Sequence, residues 1–199
     1  MIVPPAAADC ELIRPEWWGQ PVNSATTAAF LIAAVVVYWQ TRRVWAATAL
    51  ALTGVGSFLF HGPMPMGSEW AHDVSLTWLI VVIGVAGTSF ERYGTWPALA
   101  GLTVLFGALP ATADPIAVVL TAGAVVVIVR QQSATTGWAL LLLTTGAIVG
   151  RLSATGGPWC RPESWLQGHG LWHLAAAASL VFISIDQAQL RSKSTPPTP

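Results

Sequence analysis

His169-Gly-Leu-Trp-His173 sets two imidazoles at i and i+4, on one face of the last apolar run. They lie one turn apart, about 6 Å along the axis, a spacing at which both rings can grip one metal ion. An ionisable side chain within a membrane segment marks a functional site by default, because its burial beside lipid is costly. Ser57-Phe-Leu-Phe-His61 repeats the spacing and turns a hydroxyl and a third imidazole the same way. Asp73 follows a short Gly/Pro loop and opens the next apolar segment. Three neutral histidines with an open fourth position make a catalytic zinc site, with Zn–N near 2.0–2.1 Å. Such an ion lowers the pKa of bound water to about 7 and polarises a carbonyl. Asp73 suits the proton acceptor, and Ser57 suits a hydroxyl that orients the water or stabilises an oxyanion. His72 competes with His61 for the third ligand position, or else sits at the interface or behind the ligands. Read singly, Ser57 is a helix-packing hydroxyl and Asp73 an acid favoured at a helix N-terminus. Their weight comes from the set.

The elements that carry these residues are apolar. Of 199 residues, 54% are hydrophobic and 9% charged, against about 25% charged in soluble domains. Mean hydropathy is +0.60. The composition reads as an all-α membrane protein of one domain over residues 1–190, with a polar tail, 191–199, expected to be disordered. Net charge is zero and no basic stripe exists, which excludes a nucleic-acid partner. Met1–Asp9 has neither a charged n-region nor an apolar h-region, so it does not read as a signal peptide.

Seven apolar segments can be drawn: Val22–Gln40, Val44–Phe60, Trp70–Ser89, Trp96–Ala111, Pro115–Val129, Trp138–Leu152 and Gly170–Ile185. The fourth to sixth fall short of the roughly 17–25 residues of a spanning helix, and the fourth and fifth could instead form a re-entrant pair. With the N-terminus outside, Arg42, Arg43, Arg92, Arg130, Arg191 and Lys193 lie in the cytoplasm, and Arg14, Arg151 and Arg161 outside. Six against three favours a seven-helix bundle, N-out and C-in. Trp39, Trp45, Trp70, Trp96 and Trp138 sit near segment ends as interfacial anchors. In this topology all four histidines fall in one leaflet, whichever way round the bundle is. Cys10 and Cys160 lie on that same side, where an oxidising compartment permits a disulfide. Arg151 is either a pocket residue or an interfacial anchor. Asp114, before Pro115, reads as a turn or N-cap, and Asp186 as a solvent-facing acid near the cytoplasmic end.

The order Cys10-Glu11, Pro21-Val22-Asn23-Ser24, Gly56-Ser57-Phe-Leu-Phe-His61, Asp73 and Gly168-His169-Gly-Leu-Trp-His173 resembles the alkaline ceramidases. They belong to a wider group of seven-helix membrane hydrolases that includes adiponectin-receptor-like proteins. The resemblance runs from Asp9 to about Leu180, and the intervening helices match only in hydrophobicity. It implies zinc on His61, His169 and His173, with Asp73 and Ser57 contacting the water. It also implies an N-out bundle and pairing of the N-terminal cysteine with the one before the last helix. A calcium site in the family implies Asp9, Glu11 and Gln20, with Glu16 in reserve, as oxygen donors for an ion that wants 6–8 oxygens. The chain departs from the pattern where Asp9 directly precedes Cys10, at Ile13, at Gln20, at Val74 and in a longer His61-to-Asp73 gap. The expected activity is zinc-dependent hydrolysis of the amide of a ceramide-like membrane lipid that enters from the bilayer. An ester or phospholipid substrate is the alternative, and a receptor or sensor with a structural zinc is another. Oligomeric state is not legible.

Overall fold

The computed structural model describes residues 5–130 and 133–194, and among these every regular element is helical. A 3-10 turn at Pro5–Asp9 precedes α1 (Pro21–Thr26), α2 (Ala28–Thr41), α3 (Val44–His61) and α4 (Ser68–Gly84). A four-residue α5 (Phe90–Tyr93), α6 (Thr95–Ala108), α7 (Ala113–Arg130), α8 (Ala134–Leu152) and α9 (Gly168–Ser194) follow.

Local chemistry sets the boundaries. Pro21 opens α1 where its missing N–H costs nothing. The next two N–H groups, of Val22 and Asn23, donate to the two carboxylate oxygens of Glu11 at 2.7 and 2.8 Å. Arg42 turns the chain from α2 into α3 with a left-handed φ of 56°. Ser133 caps α8 by accepting from the Thr136 N–H at 3.0 Å.

Among the described residues, five helical stretches are long and apolar enough to cross a membrane: Pro21–Thr41, Val44–His61, Pro110–Arg130, Ala134–Leu152 and Gly168–Ser192. α4 and α6 are shorter, at 17 and 14 residues. The last two expected short segments lengthen because helix extends past the apolar runs, into Ala113-Asp114 and Ala134–Gly137. The third shortens, since helix stops at Gly84 and Gly87 turns the chain at φ +82°.

α9 packs against α8, α2 and α1, while α3 lies between α2 and α4, and α4 meets α6 and α7. Val37, Leu50, Leu79, Ile83 and Ile183 are fully buried at the centre. Gly56 lets α3 and α4 approach, because a Cβ there would collide with Ser75 Oγ. Outward faces are apolar as well. Val118 and Val119 of α7 are 69% and 70% exposed, as expected of a helix solvated by lipid. Trp39, Trp45, Trp96 and Trp138 are exposed near helix ends on the side away from the histidines, and Trp70 on the histidine side.

Two expectations change. Asp186 is not solvent-facing: it is buried and accepts from Ser133 Oγ at 2.6 Å and Thr136 Oγ1 at 2.5 Å. These two hydroxyls at the start of α8 replace the water that an isolated carboxylate would need. Residues 191–194, expected as part of the disordered tail, are helical, since α9 continues through Ser194; residues 195–199 lie outside the described residues.

Candidate metal centre

His61 is the last residue of α3, and His169 and His173 stand one turn apart at the start of α9. One nitrogen from each ring lies within 4.8 Å of the other two. Ring centroids are 4.8 Å apart for His61 and His169, 5.2 Å for His61 and His173, and 4.6 Å for His169 and His173. His61 and His173 are buried, and His169 is partly so.

Each ring has its Nδ1 occupied by a different partner. Gln20 Oε1 lies 2.7 Å from His61 Nδ1. The Gln20 amide donates to the carbonyls of Ala6 and Glu11 at 2.8 and 2.9 Å, so the atom facing His61 is the oxygen. His61 Nδ1 therefore donates, and its Nε2 keeps a lone pair. Asp9 Oδ1, 3.1 Å from His169 Nδ1, sets the same tautomer there. Thr26 Oγ1 donates to the Asn23 carbonyl at 2.9 Å, which leaves its lone pair to accept from His173 Nδ1 at 3.0 Å. All three histidines thus keep the Nε2 lone pair available to a metal ion, as histidine ligands do when an outer hydrogen bond holds Nδ1. The Nε2 atoms of His61 and His169 are buried without a hydrogen-bond partner. Leaving such atoms unsatisfied is costly, and three neutral imidazole nitrogens fit zinc.

The N-terminal segment delivers these partners. Gln20 N donates to the His61 carbonyl at 2.8 Å and Gly19 N to that of Gly62 at 3.1 Å. Cys10 and Cys160 form a disulfide with Cα atoms 5.6 Å apart, tying the segment to the loop before α9. Thr155 Oγ1 accepts from Cys10 N at 3.0 Å and donates to the Ala7 carbonyl at 2.6 Å. Asp9 is held between these anchors, over His169 and 3.9 Å from His61 Nδ1. Asp9, Glu11 and Gln20, expected as calcium donors, direct their side-chain oxygens to His169, to the first N–H groups of α1, and to His61.

His72 stays outside the cluster. Its ring stacks on Phe60 at 4.6 Å and lies 6.4 Å from the His61 ring, with Nδ1 3.0 Å from Asp73 Oδ1. Asp73 and His169 line one cavity of about 350 Å³, which Asp9, Glu69, His72 and Asp114 also border. Ser57 is buried one turn before His61, and no hydrogen bond among the described residues joins it to the histidines. Arg151 borders a further cavity of about 460 Å³ between α8 and α9, with Ala147, Gly150 and Trp172; His169 and Asp9 also line it.

Thr26 was not legible as a site residue, because a threonine opening an apolar helix has the same pattern as one that packs. Gln20 and Asp9, expected as calcium donors, are instead placed against His61 and His169. No protein-family model, curated protein or solved structure matches this chain, so the centre stands on its own residues.

Proposed function

We propose that this chain is a multi-pass membrane hydrolase that cleaves the N-acyl amide of a ceramide-like lipid with zinc held by His61, His169 and His173. The observation that carries the reading is that Gln20, Asp9 and Thr26 each engage the Nδ1 of one of the three histidines, while His169 lines a cavity that Asp73 also borders. Bound zinc supplies Lewis acidity, lowering the pKa of water to about 7 and polarising a carbonyl. Asp73 takes the proton of the attacking water and returns it to the amide nitrogen as the C–N bond breaks and the C–O bond forms. His72, 3.0 Å from Asp73, orients that carboxylate. Ser57 donates to the carbonyl oxygen. The products are a fatty acid and a long-chain amino alcohol.

The carboxylates of Asp9, Glu69, Asp73 and Asp114 around the cavity favour a substrate without a phosphate near the scissile bond. This supports an amide lipid over a phospholipid. The more apolar cavity between α8 and α9, which reaches His169, suits an acyl chain arriving from the bilayer. In this reading seven helices cross the membrane, N-out, and the centre faces the extracytoplasmic leaflet.

The test is metal analysis of the purified protein together with a panel of amide and ester lipids read by mass spectrometry. One zinc per chain and cleavage of amide lipids are expected. Both should be lost in His61→Ala and His169→Ala variants that stay folded by circular dichroism. Full hydrolysis by a zinc-free variant would refute the reading.

A further inference from the structure

At the end of the bundle away from the histidines lies a cavity of about 350 Å³. That volume is within the roughly 300–1,000 Å³ of small-ligand sites. Arg42, Arg43 and Arg191 line it, with Glu91 as the acid among them and Trp45 and Trp96 as walls. Arg43 Nη2 is 4.0 Å from Glu91 Oε1, and Arg191 Nη2 is bonded to Glu91 Oε2. Glu91 Oε2 also accepts from the Gly87 N–H at 2.8 Å. One carboxylate therefore serves two guanidinium groups. Arg42 lies over the Tyr38 ring, 5.4 Å from its centroid. Three arginines and one glutamate thus border the cavity.

The backbone adds to this field. α3, 18 residues long, begins at Val44 on the same wall and has no side-chain cap at Arg43. The positive end of its dipole opens toward the arginines. Arg43 is only 13% exposed and is fixed from behind, its Nη1 donating to Gln187 Oε1 at 2.8 Å. Gln187 in turn donates to the Ile83 carbonyl at 3.0 Å. Burial and the neighbouring Arg191 push the Arg43 guanidinium pKa down while Glu91 pulls it up. Trp45 and Trp96 meet edge to face at 4.6 Å on the outer side, the residue type that sits at headgroup level in a bilayer.

We propose that this cavity binds a phosphate group, carried by an anionic phospholipid of the adjacent leaflet or by soluble phosphate. Guanidinium forks match phosphate oxygens two at a time. The site is separate from the histidine centre and stands whether or not that centre hydrolyses lipids.

The test uses the full-length protein in neutral detergent with three probes: phosphatidylglycerol, phosphatidylcholine and inorganic phosphate. Native mass spectrometry reads lipid retention, and tryptophan fluorescence, through Trp45 and Trp96, reads titration. Retention of phosphatidylglycerol over phosphatidylcholine identifies the lipid source. Saturable binding of inorganic phosphate without that preference identifies the soluble one. Arg42→Gln and Arg191→Gln should each weaken binding by about fivefold. Glu91→Gln should tighten it, a gain that misfolding cannot produce. Zinc content serves as the control and should not change. Absence of binding by both phosphate probes, equal affinity in the Arg42→Gln/Arg191→Gln double variant, or no gain in Glu91→Gln would each overturn the proposal.

Discussion

Gln20 Oε1 and His61 Nδ1 stand 2.7 Å apart across 41 residues of sequence, and this contact decides which nitrogen of His61 is free. Loss of an outer partner of a metal-bound histidine typically costs 10–100-fold in metal affinity. Gln20→Leu should therefore weaken zinc binding by about 10–100-fold. It also removes two donors to backbone carbonyls, so Thr26→Val is the cleaner companion. That change keeps the shape of the side chain and removes the acceptor for His173 Nδ1 together with a single donor to the Asn23 carbonyl. Zinc titration against a chelator should show a fall of about tenfold or more for Thr26→Val. Unchanged affinity in both variants would detach these residues from the metal centre.

Asp9 reaches His169 only because the segment around it is pinned, and the Cys10–Cys160 bond closes a loop with a sequence separation of 150. Removing a link across so long a loop should cost about 4–5 kcal/mol on the chain-entropy account. Cys10→Ser/Cys160→Ser should accordingly lower the melting temperature, and zinc affinity should fall with it as Asp9 loosens. The wild type in reductant should behave like the double variant. A variant with reduced stability but full zinc affinity would show that the hydrogen bonds of Thr155 and Gln20 hold Asp9 in place without the disulfide.

Much of the centre was legible because its spacing is local. His169 and His173 at i, i+4, and His61 at the end of an apolar run, needed only helical periodicity and a topology that gathers segment ends. The cysteines followed from the same side argument. What pairs with each Nδ1 depends on how an irregular stretch, residues 10–20, folds over the helix ends, and no periodicity encodes that. Asp186 was misread because charge near a helix end ordinarily meets solvent, whereas here Ser133 and Thr136 arrive from another helix. The five stretches that meet span length, against seven expected segments, reflect helix ends displaced by turns such as Gly87 and by extension into polar residues.

Glu11 gives the N-terminal segment a pH dependence. Burial pushes its carboxyl above the ordinary value of 4.5, more than the N–H groups of Val22 and Asn23 and the charge of Arg14 pull it down. A folded pKa above the unfolded one means that the native state holds the proton longer. Stability contributed by this group is thus full below 4.5 and declines as pH rises from there through the raised folded pKa. Glu11→Gln should flatten that part of the stability–pH curve, measured by chemical denaturation across the window. A slope identical to wild type would assign the effect to other groups.

The buried carboxylate of Asp186 ties α9 to the start of α8, and its partners are hydroxyls rather than cations. Hydrogen bonds to a charged group are worth about 1.5–3 kcal/mol each. Removing the carboxylate relieves a buried charge but leaves two hydroxyls without their acceptor, so the net loss in Asp186→Ala should be on the order of 2–3 kcal/mol. Ser133→Ala removes both a donor to Asp186 and the cap of α8 and should cost about 1–2 kcal/mol. The two changes share a partner, so the double variant should lose less than the sum of the singles. Thermal unfolding of the four proteins in detergent measures this coupling. Zinc content should be equal in all four, because the cluster lies at the opposite end of α9 from His169 and His173. Additive losses would show that Asp186 and Ser133 act separately, and loss of zinc would show that the last helix transmits strain along its length.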